Sequence, residues 1–371
     1  MSILEQRRAP GTDDDVPEPE RASTFSSRPR GGAAALTKLG MSVVLLVIGV
    51  VGAAAVAASG VSFTSAARGM WAKALGHELV GDALRAQTLV WELRLPRIAL
   101  AIAAGAGLSV AGVVLQALLR NPLVSPFTLG ISSAASFGAS AALVLDGWSF
   151  GGGQAAVVGC AFAVAIGCAT LVFGLASFRR TSPEALVLVG IAVTDLFAAL
   201  TAAMQYLATD EQLAEIVRWT FGSVNGAKWG HAAVVGGVVA VSVPVLLWRA
   251  SAFNAVAFAG DDAARSLGVN VTALRIGGGL VAVALAATVV SFTGVIGFVG
   301  LVGPHIARLI IGADHRYLIP FSAVAGAALL LAADTIGRSL FSPAVIPVGI
   351  VVSLLGAPLF LNLVLARRRF L

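Results

Sequence analysis

Residues 94–118 read RLPRIALAIAAGAGLSVAGVVLQAL, and after Arg97 no charged side chain follows until Arg120. At 1.5 Å per residue a helix of about 25 residues reaches roughly 37 Å, enough to cross a hydrocarbon core of about 30 Å. Such a helix has no polar face to offer water. Gly105, Gly107 and Gly112 suit it to lipid instead, where helices gain nothing hydrophobic from associating and pack through small residues that let backbones approach. The stretch is read as one membrane span inside a helical bundle.

The rest of the chain agrees. Of its 371 residues 58% are hydrophobic and 12% charged, with a mean hydropathy of +0.91, whereas soluble domains carry about 25% charged residues. Apolar segments fall near 38–60, 94–118, 125–145, 153–177, 184–208, 231–249, 273–296, 302–311, 316–339 and 346–366. The fold class is therefore an all-α polytopic bundle of about ten transmembrane helices, occupying 38–371. The segment at 302–311 is too short to cross alone, so it is expected to lie buried among its neighbours. Residues 1–37, rich in Pro, Gly, Ser, Arg and Asp, read as a disordered cytoplasmic tail. The small residues ending the first span resemble a peptidase site, but cleavage there would remove far more than the usual 15–30 residues, so an uncleaved span is expected.

Assigning the tail with Lys38, then Arg120, Arg179, Arg180, Arg249, Arg265, Arg275, Arg308, Arg316 and Arg367 to Arg369, to the inner face leaves Arg68, Lys73, Arg85, Arg94, Arg97, Arg218, Lys228 and Arg338 outside. That is 17 against 8 of the 25 basic residues, and it places both termini in the cytoplasm. The net charge of +6 is spread singly or in short groups between apolar runs, which argues against a nucleic-acid partner. Cys160 and Cys168 share one apolar stretch and read as packing residues. His77, His231, His305 and His315 are far apart and form no ligand-spaced cluster, so no metal site is expected.

No stretch matches GxxxxGK[ST], and no nucleophile elbow, HExxH or catalytic carboxylate pair is present. If ATP drives this protein, a separate chain binds it. On the inner face, Gly260-Asp261-Asp262-Ala263-Ala264-Arg265-Ser266-Leu267-Gly268 has acids for a helix N-terminus and a glycine for its end. A short surface helix is expected there, either resting on lipid headgroups or fitting a partner's groove. Two carboxylates fall inside spans, where a lone Asp costs roughly 2.5–3.5 kcal/mol and should face protein or water. Asp334 has Arg338 four residues on as its simplest partner. Asp195 has no such neighbour, and either lines a pathway or points at another subunit. Arg94, Arg97 and Arg338, at outer span ends, are either snorkelling side chains or an acceptor for carboxylates on a docking protein.

Further motifs are Arg94-Leu95-Pro96-Arg97, Gln116, Arg120-Asn121-Pro122-Leu123 and Leu129-Gly130. In the C-terminal half stand Gly297-Phe298-Val299-Gly300-Leu301-Val302-Gly303-Pro304-His305-Ile306-Ala307-Arg308, Asp314-His315-Arg316, Ala333-Asp334, Pro347-Val348-Gly349 and Gly356-Ala357-Pro358. In this order, over about residues 90–366, the chain resembles the FecCD family of ABC importer permeases, the iron-siderophore and vitamin B12 type. The resemblance implies a pair of ten-span subunits, identical or paralogous, with two cytoplasmic ATPase subunits that hold ATP and Mg. It also implies a substrate-binding protein outside and no cofactor on this chain. It further implies that coupling helices at about 257–270, with Gly260, Asp261, Asp262, Arg265, Leu267 and Gly268, engage the ATPase. Arg94, Arg97 and Arg338 are expected to meet glutamates of the binding protein, the fifth and tenth spans to border the path, and Thr181-Ser182-Pro183-Glu184 to form its cytoplasmic gate. An ion-gradient transporter using Asp195 is the alternative, as is a membrane protein without transport.

Overall fold

The computed structural model describes residues 32–56, 71, 84, 88–145, 153–179, 183–340 and 344–367. The tail up to residue 31, the gate residues Thr181 and Ser182, and Arg68, Lys73, Arg85, Arg180, Arg368 and Arg369 lie outside them. Among the described residues all regular structure is helical. The helices are α1 Gly32–Val56, α2 Leu89–Leu118 with a π-helical first turn, α3 Ile131–Val144, α4 Gln154–Arg179 and α5 Pro183–Leu207. They continue with α6 Asp210–Thr220, α7 Trp229–Trp248, α8 Ala250–Asn254 running into a π-helical turn Ala255–Ala259, α9 Gly260–Ser266 and α10 Val271–Thr293. The last three are α11 Val299–Ile311, α12 His315–Ser339 and α13 Val348–Arg367.

Six of these are long and apolar enough to cross a membrane: α2, α4, α5, α7, α10 and α12. The bundle is built round α2, which packs on α7, α10, α11 and α12 and is 83% buried over its most apolar window. Two contacts explain why its small residues stand where they do. Gly105 meets the backbone of Gly326 on α12, and Gly112 meets that of Gly300 on α11, so a Cβ at either would collide with main chain. In lipid these close crossings bring dispersion contacts that larger residues would prevent. Cys160 and Cys168 sit on α4 as free thiols, with the Cys160 backbone pressed against Gly138 of α3.

The elements depart from the sequence expectation at several places, each for a local reason. α1 starts at Gly32, inside the segment expected as tail, because Ala33, Ala34, Ala35 and Leu36 are strong helix formers; Lys38 of this extension donates to the Ile310 carbonyl at the end of α11 (2.9 Å). α2 begins at Leu89, before Arg94. The run 125–145 is not one helix: Pro126–Leu129 is a 3₁₀ turn and Gly130, at φ 79°, reverses the chain before α3. The 14 residues of α3 span only about 21 Å, and α4, α5 and α6 cover them. α11 begins at Val299, and Gly300, Val302, Gly303, Pro304 and Ala307 turn into the bundle, as its shortness required. α6 is an extra amphipathic helix between α5 and α7, a stretch expected to be a plain connection. Its signal is a capping box, with Thr209 accepting from the Gln212 N–H while the Gln212 side chain accepts from the Thr209 N–H.

Candidate functional site

Three places on the bundle carry the polar chemistry. The first, at one end of the bundle, joins the start of α2 to the end of α12. Asp334 is 1% exposed, and Arg97 grips it from the neighbouring helix, with Nη2 to Oδ1 at 2.7 Å and Nε to the two oxygens at 3.0 and 3.1 Å. Arg338 also reaches Asp334, at 3.3 Å. The intrahelical pair expected from the i, i+4 spacing is therefore present but secondary. A planar guanidinium arriving from across the helix interface meets the carboxylate as a fork, which a side chain one turn along the same helix does not. Arg97 Nη1 also donates to the Asn225 side chain (3.1 Å), tying the α6–α7 connection to the cluster. Nearby, Trp229 Nε1 donates to the Trp91 carbonyl and the two rings lie 5.4 Å apart. Arg94 stands nearly one turn before Arg97 and is 9% exposed. The three predicted arginines thus converge on one end of the bundle, but as largely enclosed members of a network and not as free rim charges.

The second place, at the opposite end, is the segment between α7 and α10. α8 and α9 meet at Gly260, whose φ 84° and ψ 174° lie in a region that only glycine occupies without strain. The segment is a bent pair of short helices, as the resemblance implied, but it starts at Ala250, earlier than the expected 257–270. Asp261 and Asp262 occupy the first turn of α9. After Leu267 the chain closes in a Schellman turn, with the Val269 N–H on the Ala264 carbonyl (3.0 Å), the Gly268 N–H on the Arg265 carbonyl (2.9 Å) and Gly268 at φ 83°.

This knob is anchored to three spans. Asp261 accepts from Arg275 at the start of α10 (3.0 Å). The Arg120 guanidinium at the end of α2 lies against Gly260. Asn254 Nδ2 donates to Asp314 (2.8 Å), while Asn254 Oδ1 accepts from the His315 N–H (2.9 Å) and faces His315 Nδ1 (2.7 Å) at the start of α12. Arg265 pairs only locally with Asp262 (2.8 Å). Phe258 and Leu267 are 65% and 72% exposed at the tip. Sequence reasoning missed Asn254, which carries no local signal, and did not connect it to His315. Close by, Gln116 accepts from Arg308 of α11 (3.0 Å) and donates to the Val124 carbonyl (3.3 Å), which explains two further motif residues.

The third place is the outward face of α5. Pro183 and Glu184 begin this helix; their side chains, like Thr181 and Ser182, lie outside what is described. Leu186, Val193 and Thr201 are buried against the bundle. On the opposite side Leu188, Asp195, Ala199 and Tyr206 are exposed and fall within about 40° of one another, with Ala192 and Ala202 beside them also exposed. Asp195 is thus brought together with neither the arginine cluster nor the knob, and it makes no hydrogen bond or ion pair with another described residue.

Among the described residues nothing here resembles a nucleotide cradle or a catalytic constellation. The arrangement is a helical bundle with a charged, buried cluster at one end, a bent pair of short helices exposing Phe258 and Leu267 at the other, and an exposed face of α5 that carries Asp195.

The family model described as the FecCD transport family matches residues 41–366. The hemin transport system permease of Yersinia pestis is 37% identical over 89% of this chain and 96% of its own length. The cobalamin import system permease of Halobacterium salinarum is 40% identical over 75% of this chain and 73% of its own. A solved chain described as a metal-chelate type ABC transporter in an inward-facing conformation superposes with a TM-score of 0.77 at 32% identity, covering 89% of this chain and 99% of that one.

Proposed function

This chain belongs to the FecCD transport family, and from that premise we propose that it carries an iron–siderophore complex into the cytoplasm, with cobalamin and haem as the next cargoes in order. It is a multi-pass permease of an ABC importer, a transport subunit and not an enzyme; ATP hydrolysis belongs to its ATPase partners. The observation that carries the mechanism is the knob. Phe258 and Leu267 project from a bent pair of short helices on a glycine pivot, while Arg275, Arg120 and Asn254 link that pair to α10, α2 and α12. Closure of two ATPase subunits with ATP and Mg pushes on this knob. Because the knob is bound to three spans rather than one, the push is delivered to the bundle as a body and re-orients it against a second permease subunit.

An external binding protein delivers the cargo at the end that holds Arg94, Arg97 and Arg338. Arg97 and Arg338 paired with Asp334, and Arg94 a turn before Arg97, gather basic side chains at that end for glutamates on a docking surface, and such charges govern encounter and orientation. α5 and α13 border the path, Thr181 to Glu184 close it on the inside, both termini are cytoplasmic, and no cofactor resides on this chain. The ion-gradient alternative finds no support in the relatives, which are ABC permeases.

The test is to reconstitute the permease with the ATPase it co-purifies with and to measure hydrolysis with and without a chelate-loaded binding protein. Stimulation that vanishes on Phe258→Asp supports the reading. Uptake by the permease without any ATPase subunit would overturn it.

A further inference from the structure

The carboxylate of Asp195 lies twelve residues from each end of α5, about 18 Å from either, at the depth where an unsatisfied charge is least tolerated. The elements on which α5 packs supply nothing to neutralise it. α3 and the Pro126–Leu129 turn contain no charged residue, and the only one on α4 is Arg179 at its end. The helix cannot turn Asp195 inward, because Leu186, Val193 and Thr201 hold the opposite side in the bundle. Small residues flank Asp195 on this face, with Ala192, Ala199 and Ala202 exposed beside it, while Ile191 and Leu196 border it and Leu188 and Tyr206 lie further along the stripe. An exposed anion at mid-depth, set among alanines, suits a water-filled passage better than hydrocarbon.

Resting on the reading that α5 borders the path between two permease subunits, we infer that Asp195 makes that path selective by charge. It admits metal chelates that are neutral or carry a cationic group on their surface, and it disfavours polyanionic ones. This chain brings one such carboxylate and no cation at that depth on α5 or on α13, whose only ionisable residue is the terminal Arg367. A cationic group on what passes through supplies the counter-charge. At an effective dielectric of about 20 and a distance of about 8 Å, one carboxylate enriches a monovalent cation about thirtyfold over a neutral solute, and depletes an anion as much. Water in the passage weakens this, so about tenfold is the effect to look for.

The test does not require the cargo. In a background with Cys160→Ala and Cys168→Ala, Ala199→Cys places a thiol one turn from Asp195 in the reconstituted permease–ATPase complex. Its modification rates with the cationic trimethylammonioethyl and the anionic sulfonatoethyl methanethiosulfonates are measured in apo, ATP-bound and vanadate-trapped states. The expected result is reaction with both, a cation-to-anion rate ratio that falls about tenfold on Asp195→Asn, and its recovery with Asp195→Glu. A ratio unmoved by Asp195→Asn overturns the selectivity while leaving α5 on the path. A thiol inert to both reagents in every state overturns the path assignment of α5 and the inference with it, without touching the ATPase-driven mechanism.

Discussion

Replacing Asp334 by Asn should destabilise the permease more than any single arginine change around it. The side chain keeps its shape and loses its charge, so packing is unaltered and the electrostatic consequence is isolated. In the native cluster Asp334 is 1% exposed, and the Arg97 and Arg338 side chains are 11% and 14% exposed. Removing the anion strands two largely enclosed guanidiniums, and breaking a buried pair from one side costs about 3–5 kcal/mol. Residual solvation of both arginines, and one hydrogen bond that an amide oxygen still accepts, put the expected loss near the lower end, about 3 kcal/mol. Arg338→Gln should cost about 1 kcal/mol or less, because it removes the longer contact of 3.3 Å while Arg97 continues to neutralise the carboxylate. The measurement is unfolding of the detergent-solubilised chain by SDS titration, followed by circular dichroism. Combining Asp334→Asn with Arg97→Gln should cost at least about 1 kcal/mol less than the sum of the two, since they remove one interaction twice. A loss below about 1 kcal/mol for Asp334→Asn, or a larger one for Arg338→Gln, would refute the view that Asp334 is the anchor of this end.

Gly260→Ala forces a Cβ into backbone that only glycine occupies comfortably, at a cost of about 1–3 kcal/mol; ATP hydrolysed per chelate imported should rise, and an unchanged ratio would show that the pivot is not used. Asn254→Ala unties the knob from Asp314 and His315, so hydrolysis should persist while uptake per ATP falls severalfold in proteoliposomes. Arg94→Gln leaves the Arg97–Asp334 contact in place and should slow association of the binding protein by about tenfold at low salt, with less effect at high salt, as biolayer interferometry would read. Equal association rates at both ionic strengths would remove Arg94 from the docking surface.

The solvent, the helical class and the approximate places of the apolar segments follow from the amino-acid sequence, because hydropathy is a local property that a window of about 20 residues reports faithfully. So does the turn that ends α9, since Gly268 and the acids at 261 and 262 act within a few residues of themselves. The break at Gly130 and the capping box before α6 were equally local; the signals were there, and the apolar and polar averages around them hid both. Partnership across the bundle was not legible. Arg97 and Asp334 stand 237 positions apart, Asn254 and His315 are joined through side chains with no shared motif, and the i, i+4 rule named Arg338 where the neighbouring helix had the better angle. In water the apolar stripe of a helix announces which side is buried, but a span that is apolar all round leaves its rotation unspecified. The rotation of α12 is set by where Gly326 meets Gly105, and that of α5 by where Gly190 meets the backbone of Thr128 and Leu129; so Asp334 turns into a cluster of arginines while Asp195 turns out.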